Sequence, residues 1–337
     1  MGQEMSYHFF KADAFVALDA LGKSKVIEAI KKMLLIRHFE TRAESAYQMG
    51  KIGGFFHAYT GQEAIQTAAT MALDSKDWYT TTYRCHALAL LLGVTPDSAM
   101  AELYGKKTGN AMGRGGSMHL FSDQLLGGYG IVGGHLPIAT GAAFSVKYMD
   151  KKQVSICFLG DGAVPQGAVH ESLNLAALWN LPVIYVVENN QWGMGTKVNR
   201  ALSMHPIAER LAITYGIEGY TVDGMNFFDC YALFEKLRKQ VIDTNRPVII
   251  EAITERFKGH SISDPGLYRT KEELECAMKR DPIPFLFHAA QERGWITQEE
   301  FDEMSNSQKE IVLKSMQFAE ASELPDIMTL EEDVFAP

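Results

Sequence analysis

Two short motifs in this 337-residue sequence carry the residue types of a metal–phosphate site: Gly160-Asp161-Gly162 and Asn189-Asn190. The first directly follows the apolar run Val154 to Leu159, and the second directly follows Val183 to Glu188. Asp161 and an asparagine carbonyl are hard oxygen donors, suited to Mg²⁺ or Ca²⁺ rather than zinc. Magnesium commonly completes its octahedron with ligand phosphates, and glycines let backbone amides approach those phosphates closely. A dinucleotide fingerprint is the competing reading. Gly160, Gly162 and Gly167 do not give G-x-G-x-x-G, because the third glycine comes too late. A carboxylate inside the turn would also repel a bare pyrophosphate, whereas a cation between the two turns repulsion into attraction. The residues therefore point to a metal-bound diphosphate.

The elements that must position these motifs alternate in type. A helix over Pro137 to Met149 precedes the buried strand Val154 to Leu159. Gln166 to Trp179 reads as helix, with its positive end toward the phosphates, and Val183 to Glu188 as strand. Further strands at Tyr220 to Val222 and Val248 to Ile253 flank a helix over Phe227 to Val241. Such alternation predicts parallel strands with right-handed helical crossovers, an α/β doubly wound sheet of about five or six strands. Asp161 and Asn190 then lie at the carboxyl ends of neighbouring strands, where open sheets bind ligands. Upstream, 24–49 reads as a helix with Ser24 as its cap, presenting Val26, Ile27, Ile30, Met33 and Leu34 on one face. Glycine clusters at Gly50 to Gly61, Gly105 to Gly116 and Gly127 to Gly134, with short helices and the strand Trp78 to Thr82 between. Lys271 to Leu330 reads as a mainly helical, charged tail.

Bulk properties exclude several classes. An apolar share of 47% and a charged share of 22% are those of an ordinary globular protein. A formal charge of −9 with no Lys/Arg stripe argues against nucleic acid. The longest apolar run, Ala87 to Val94, is far too short to span a bilayer. The amino terminus lacks a charged-then-apolar export signal, and Met1 to Ser6 matches a myristoylation pattern that we read as chance. Cys85, Cys157, Cys230 and Cys276 lie far apart, which suits neither zinc nor a disulfide framework; they read as reduced thiols in a cytoplasmic setting.

Gly-Asp-Gly, then 26 residues (Ala163 to Glu188), then Asn-Asn resembles the thiamine-diphosphate signature of transketolase-like enzymes. Further stretches resemble the alpha subunits of pyruvate dehydrogenase, the acetyl-transferring component of the 2-oxo acid dehydrogenase complexes. They are Thr82-Tyr83-Arg84, Gly113 to His119, Gly130 to Gly133, Glu188 to Gly195 and Gly259 to Gly266. The resemblance runs in order from about Met33 to about Pro284. It implies a thiamine-diphosphate- and Mg²⁺-binding α/β domain over 23–270. An extension over 1–22 would precede it, and a helical region over 271–337 would pack on it.

By this resemblance Asp161 and Asn190 are magnesium ligands through their side chains, and Trp192 through its carbonyl. Tyr83, Arg84 and His260 would hold the diphosphate, with amides of Gly162 and Ala163. Gly130 and Val132 would meet the aminopyrimidine through backbone groups. His57 and His260 match family histidines near the reacting carbon, where an imidazole can move protons or fix the substrate carboxylate. His86, His119 and His170 are given no catalytic role. The loop around His260 is expected to order over bound cofactor, and Ser261 falls where mitochondrial relatives are phosphorylated.

The resemblance also implies partners. The glutamate that bonds the pyrimidine belongs to a second domain this chain lacks, so a beta subunit would supply it in a two-alpha, two-beta assembly. The expected reaction is pyruvate decarboxylation with acetyl transfer to a lipoyl group of a dihydrolipoyl acetyltransferase core, feeding acetyl-CoA formation. Lys258, His135, Pro165 and Cys85 depart from the usual pattern; histidine is usual in place of Lys258 and glutamine is common in place of His135. Rival readings are an acetoin or branched-chain 2-oxo acid enzyme and, from another class, a non-catalytic nucleotide-binding scaffold subunit. Ser261 to Gly266 favours pyruvate over branched-chain substrates.

Overall fold

The structure, a computed structural model, describes residues 8–332 and 334; the myristoylation pattern at Met1 to Ser6 lies outside them. Nine strands occur among the described residues: β1 (Phe9–Phe10), β2 (Trp78–Thr82), β3 (Leu125–Tyr129), β4 (Ser155–Gly160), β5 (Val183–Asn189), β6 (Trp192–Gly193), β7 (Thr196–Lys197), β8 (Glu218–Asp223) and β9 (Val248–Ile253). Seven form one sheet in the order β1-β8-β9-β5-β4-β2-β3, and every pairing in it is parallel. β6 and β7 make a separate antiparallel hairpin. This is the doubly wound sheet that the alternation predicts, with seven strands rather than five or six.

All seven residues of β5 are buried, as continuous apolar strands are when helices cover both faces. Side chains alternate between two cores. Ile156, Phe158, Ile184 and Val186 face a core shared with α1 (Ala14–Gln48), α2 (Glu63–Ala72), α3 (His86–Leu91) and α4 (Pro96–Leu103). Cys157, Leu159, Val183, Tyr185 and Val187 face the other core, built with α5 (Leu136–Tyr148), α6 (Gly167–Leu178) and, past the short α7 (Val198–Ala201), α8 (Ile207–Tyr215). The period-2 geometry of a strand sends successive side chains to opposite faces, so one run of sequence feeds both layers. Each fully buried Val, Leu or Ile there contributes about 1.5–3 kcal/mol relative to exposure.

The carboxyl-terminal helices join the first core. After α9 (Phe227–Thr244) and α10 (Lys271–Met278), α11 (Pro282–Glu292) and α12 (Gln298–Ala321) lay Leu286, Phe287, Val312 and Ala319 against it. Thr297 and Glu300 form a reciprocal capping box that starts α12. Arg37 on α1 bonds Glu63 and Asp281, both in bidentate fashion, and so clasps α2 and α11 together. Among the described residues, no helix is long and apolar enough to cross a membrane.

The helix expected over 24–49 forms: at Gly22, where φ is 73° and ψ 164°, it breaks from a preceding helical segment that starts at Ala14, and Ser24 lies just inside it rather than at its cap. The third glycine cluster overlaps the end of the strand β3. Gly128 sits there because a Cβ would lie 2.6 Å from the Cβ and Sγ of Cys85, so packing overrides glycine's poor strand propensity. β1 and α8 carry too few periodic residues to announce themselves and are set by contacts with β8 and β9.

Candidate active site

The carboxyl ends of five parallel strands open onto one cleft of about 700 Å³. Tyr83 and Arg84 follow β2, Gly130 and Val132 follow β3, and Asp161, Gly162 and Ala163 follow β4. Asn190 and Trp192 follow β5, His260 follows β9, and His57 enters from the segment between α1 and α2. Every residue expected from the sequence to act in catalysis or to hold the cofactor or metal therefore lines the same cavity.

The two oxygen-donor turns touch. A Cβ built on Gly162 would lie 3.1 Å from the Cα of Gly193, so the Asp161 turn and the Asn190–Gly193 turn pack backbone to backbone. Asp161 is buried and forms no ion pair among the described residues; burial pushes its carboxyl up to about 7. A carboxylate kept from solvent with no ion-pair partner among the described residues is the electrostatic setting in which a cation binds. Asn190 donates from Nδ2 to Oε1 of Gln62 at 3.1 Å, while its Oδ1 accepts from the Trp192 amide at 3.2 Å. Asn189 turns the other way: Nδ2 donates to Glu251 Oε1 at 2.7 Å, and Oδ1 accepts from the amide and side chain of Gln191. The asparagine pair thus divides its labour, with Asn190 in the cleft and Asn189 holding the turn to β9. No group of three or more His, Cys, Asp or Glu placed to hold a metal ion occurs among the described residues. One carboxylate with amide oxygens fits Mg²⁺, which takes its remaining ligands from phosphates and water.

Opposite these donors lie two buried guanidiniums. Arg84 donates through Nη1 to the Ala58 carbonyl at 2.8 Å and through Nη2 to the His260 carbonyl at 2.6 Å. Arg256 donates to the Lys258 carbonyl at 3.1 Å and to Tyr268 Oη at 2.6 Å, and Tyr268 in turn donates to Asp264 at 2.7 Å. Among the described residues neither guanidinium bonds a carboxylate, and burial lowers both pKa values, that of Arg256 to about 10. Two desolvated cations facing one cleft favour an anionic ligand. Sequence reasoning missed Arg256; the signal available was a basic residue just beyond the end of β9.

His57 and His260 meet edge to face at 5.2 Å, and the Tyr83 ring lies 4.3 Å from His57 and 5.6 Å from His260. Burial and the nearby Arg84 push His57 down to about 3 and His260 to about 4. Both rings are therefore neutral near pH 7, able to accept a proton or a hydrogen bond. The Nδ1 atom of His57 is buried with no partner among the described residues. The His260 loop is held by Asp264, whose Oδ2 accepts from the His260 amide at 2.6 Å. Ser261 lines the cleft beside it. Glu188 was also missed: it lines the cleft, burial pushes it up to about 7, and Tyr59 and Gln66 both donate to it. His86, by contrast, is bound to Glu40 and Ser117 inside the core, His119 bonds the Gly128 carbonyl, and His170 lies 2.8 Å from the Tyr215 hydroxyl.

A parallel sheet whose carboxyl edge gathers hard oxygen donors against buried guanidiniums defines an α/β protein built to hold an anionic ligand at that edge. The sequence profile of the family described as dehydrogenase E1 component matches residues 31–328, and the chain belongs to that family. Thiamine diphosphate is the family's cofactor. The chain is 43% identical over 315 residues to the pyruvate dehydrogenase E1 component subunit alpha of Rickettsia conorii, covering 93% of this chain and 96% of that one. It is 41% identical to the protein of the same name from Rhizobium meliloti, over 93% and 90% of the two chains. The namesake from Porphyra purpurea is 40% identical, over 94% of each.

Proposed function

We propose that this chain is the alpha subunit of a pyruvate dehydrogenase E1 component, active with a beta subunit. The observation that carries the reading is the convergence of Asp161, Asn190, Arg84 and His260 on one cleft, in a chain similar along nearly its whole length to proteins of that name. When bound, thiamine diphosphate supplies the electron sink that lets a 2-oxo acid lose carbon dioxide.

The chain's own residues do the rest. Asp161, Asn190 and the Trp192 carbonyl hold Mg²⁺, whose charge brings the Asp161 carboxyl back to its ionised form. Arg84, Tyr83 and His260 hold the diphosphate, joined by Arg256 and the amides of Gly162 and Ala163. Gly130 and Val132 offer backbone groups to the pyrimidine. His57 and His260, kept neutral, fix the pyruvate carboxylate or accept a proton beside it.

A beta subunit completes the cleft in a two-alpha, two-beta assembly and brings the glutamate for the pyrimidine. What supports the contact is an uncovered apolar face: Ile138, Phe144 and Tyr148 of α5 lie exposed, Phe144 meets Trp179 at 5.7 Å, and the exposed Ile131 and Val132 carry that face to the cleft mouth. The acetyl group then passes to a lipoyl arm of a dihydrolipoyl acetyltransferase, in a cytoplasmic setting. The test is pyruvate-dependent reduction of an artificial electron acceptor, with thiamine diphosphate and Mg²⁺, by this chain with and without its beta partner. Activity with pyruvate only in the mixture is expected. Activity of the chain alone would overturn the assembly, and a preference for acetoin or a branched-chain 2-oxo acid would overturn the substrate.

A further inference from the structure

Gln62 lines the cleft with one end of its side chain bonded to Asn190 and the other end unused. It stands directly before α2, and only 1% of its surface is exposed. The orientation of its amide follows from one main-chain group. The Trp192 amide is a donor, so the end of Asn190 that lies 3.2 Å from it is the oxygen, Oδ1. The other end of Asn190 is then Nδ2, which donates, and the Gln62 atom 3.1 Å from it is the acceptor Oε1. That leaves Nε2 of Gln62 as the open end of the chain of bonds. Nε2 has no acceptor among the described residues, yet it is not one of the polar atoms sealed from solvent, so it keeps access to the cleft that Gln62 lines. The segment that carries Gln62 already serves the anion side of this cleft. Its Ala58 carbonyl holds Arg84 at 2.8 Å, and its Thr60 carbonyl accepts from the amide of Phe257, next to Arg256, at 3.1 Å.

We infer that Nε2 of Gln62 donates a hydrogen bond to a diphosphate oxygen of the cofactor, which makes Gln62 a further diphosphate-binding residue and the link between that ligand and Asn190. The inference rests on the thiamine-diphosphate reading and extends it. An open N–H in a cleft with two buried guanidiniums calls for an anionic acceptor. Asn190 holds Mg²⁺ and Mg²⁺ holds the diphosphate, so the acceptor brought to a donor seated against Asn190 is a phosphate oxygen. The same side chain keeps Asn190 in the orientation that turns Oδ1 away from Gln62. That oxygen accepts one bond from the Trp192 amide, and its second lone pair remains for the metal.

The test compares two variants in the assembled complex with its beta partner, at saturating Mg²⁺ so that metal affinity does not enter. Dissociation constants for thiamine diphosphate are read from quenching of tryptophan fluorescence. Gln62→Glu keeps the acceptor for Asn190 and puts an oxygen in place of the donor, whereas Gln62→Met keeps the length and removes both. Gln62→Met is expected to bind thiamine diphosphate about 10- to 100-fold more weakly, the scale of one hydrogen bond to a charged group. Gln62→Glu should be at least as weak, because its carboxylate faces the anionic ligand. A residue that only held Asn190 would give the opposite order, with Gln62→Glu binding more tightly than Gln62→Met. That order, or no loss in Gln62→Met, overturns the inference while the cofactor reading stands. If Gln62→Glu does not assemble, Gln62→Met is also titrated with magnesium pyrophosphate, the same end of the ligand alone. Equal losses for the two ligands are expected, and a loss confined to thiamine diphosphate overturns the diphosphate assignment. A wild-type complex that does not bind thiamine diphosphate would overturn the cofactor reading and this inference with it.

Discussion

Arg84 Nη2 donates to the main-chain oxygen of His260 at 2.6 Å, tying the turn after β2 to the loop after β9 across the cleft. The guanidinium thus fixes the position of one histidine while presenting its charge to the ligand. Arg84→Gln should raise the dissociation constant of the magnesium–thiamine diphosphate pair by about 10- to 100-fold, the scale of one charge-assisted hydrogen bond. Arg84→Lys should recover only part of it, because a point charge cannot reach the Ala58 and His260 carbonyls together. Calorimetric titration checks both, and an unchanged affinity in Arg84→Gln would remove the residue from the anion site.

The metal assignment predicts that Asp161→Ala abolishes magnesium-dependent cofactor binding. Apparent Mg²⁺ affinity should fall by at least ~100-fold, since even disturbing an outer-shell partner can cost that much. The variant should still fold, because the carboxylate it loses makes no ion pair among the described residues and is costly to keep buried. Mg²⁺ titrations at fixed thiamine diphosphate decide the matter.

Gly128→Ala tests the packing that makes β3 a strand. The added Cβ would lie 2.6 Å from Cys85 and 2.7 Å from the Met118 carbonyl. Overpacking of this kind costs about 1–3 kcal/mol, which a shift in the urea midpoint would report. The double variant with Cys85→Ala should recover part of that loss, as residues in contact do not add independently. A midpoint equal to wild type in the single variant would place the clash elsewhere.

Acid should destabilise the chain through His57. The folded protein keeps this imidazole neutral, with its pKa pushed down to about 3, whereas the unfolded chain binds a proton below about 6.5. The unfolded state then holds more protons between these values, so stability falls as pH drops from about 6.5 toward 3 and is unaffected by this group above 6.5. His57→Gln should lose about 1–3 kcal/mol less than wild type between pH 6.5 and 4.5. Urea midpoints of both proteins at the two pH values measure it, and parallel losses would show that His57 titrates normally.

Much of the site was legible because its chemistry requires particular residue types at strand ends. Val154 to Leu159 and Val183 to Glu188 are apolar except for Ser155 and Glu188, as strands covered on both faces tend to be, and glycine or asparagine directly after them announces a tight turn at a ligand-binding edge. Gln191, with φ of 68°, and Gly193, packed on Gly162, are the backbone consequences of that turn. β3 was not legible, since Gly128 serves a close approach to Cys85, a residue more than 40 positions away. Nor was Arg256: a lone arginine after a strand reads as a surface charge until its burial is known.

The sequence by itself determined the class of layers, the strand ends that bear Asp161 and Asn190, and the histidines and arginine that belong with them. Period and residue type are local properties, and they follow from backbone geometry and from the ligand's charge. Only the tertiary structure decided that Asn190 faces the cleft while Asn189 is drawn to Glu251. It also decided that Arg84 and Arg256 stand together with no carboxylate partner among the described residues. Those outcomes depend on which groups meet after the chain has folded. A hydrogen-bond partner or a dielectric environment is a property of that meeting, and no spacing along the chain encodes it.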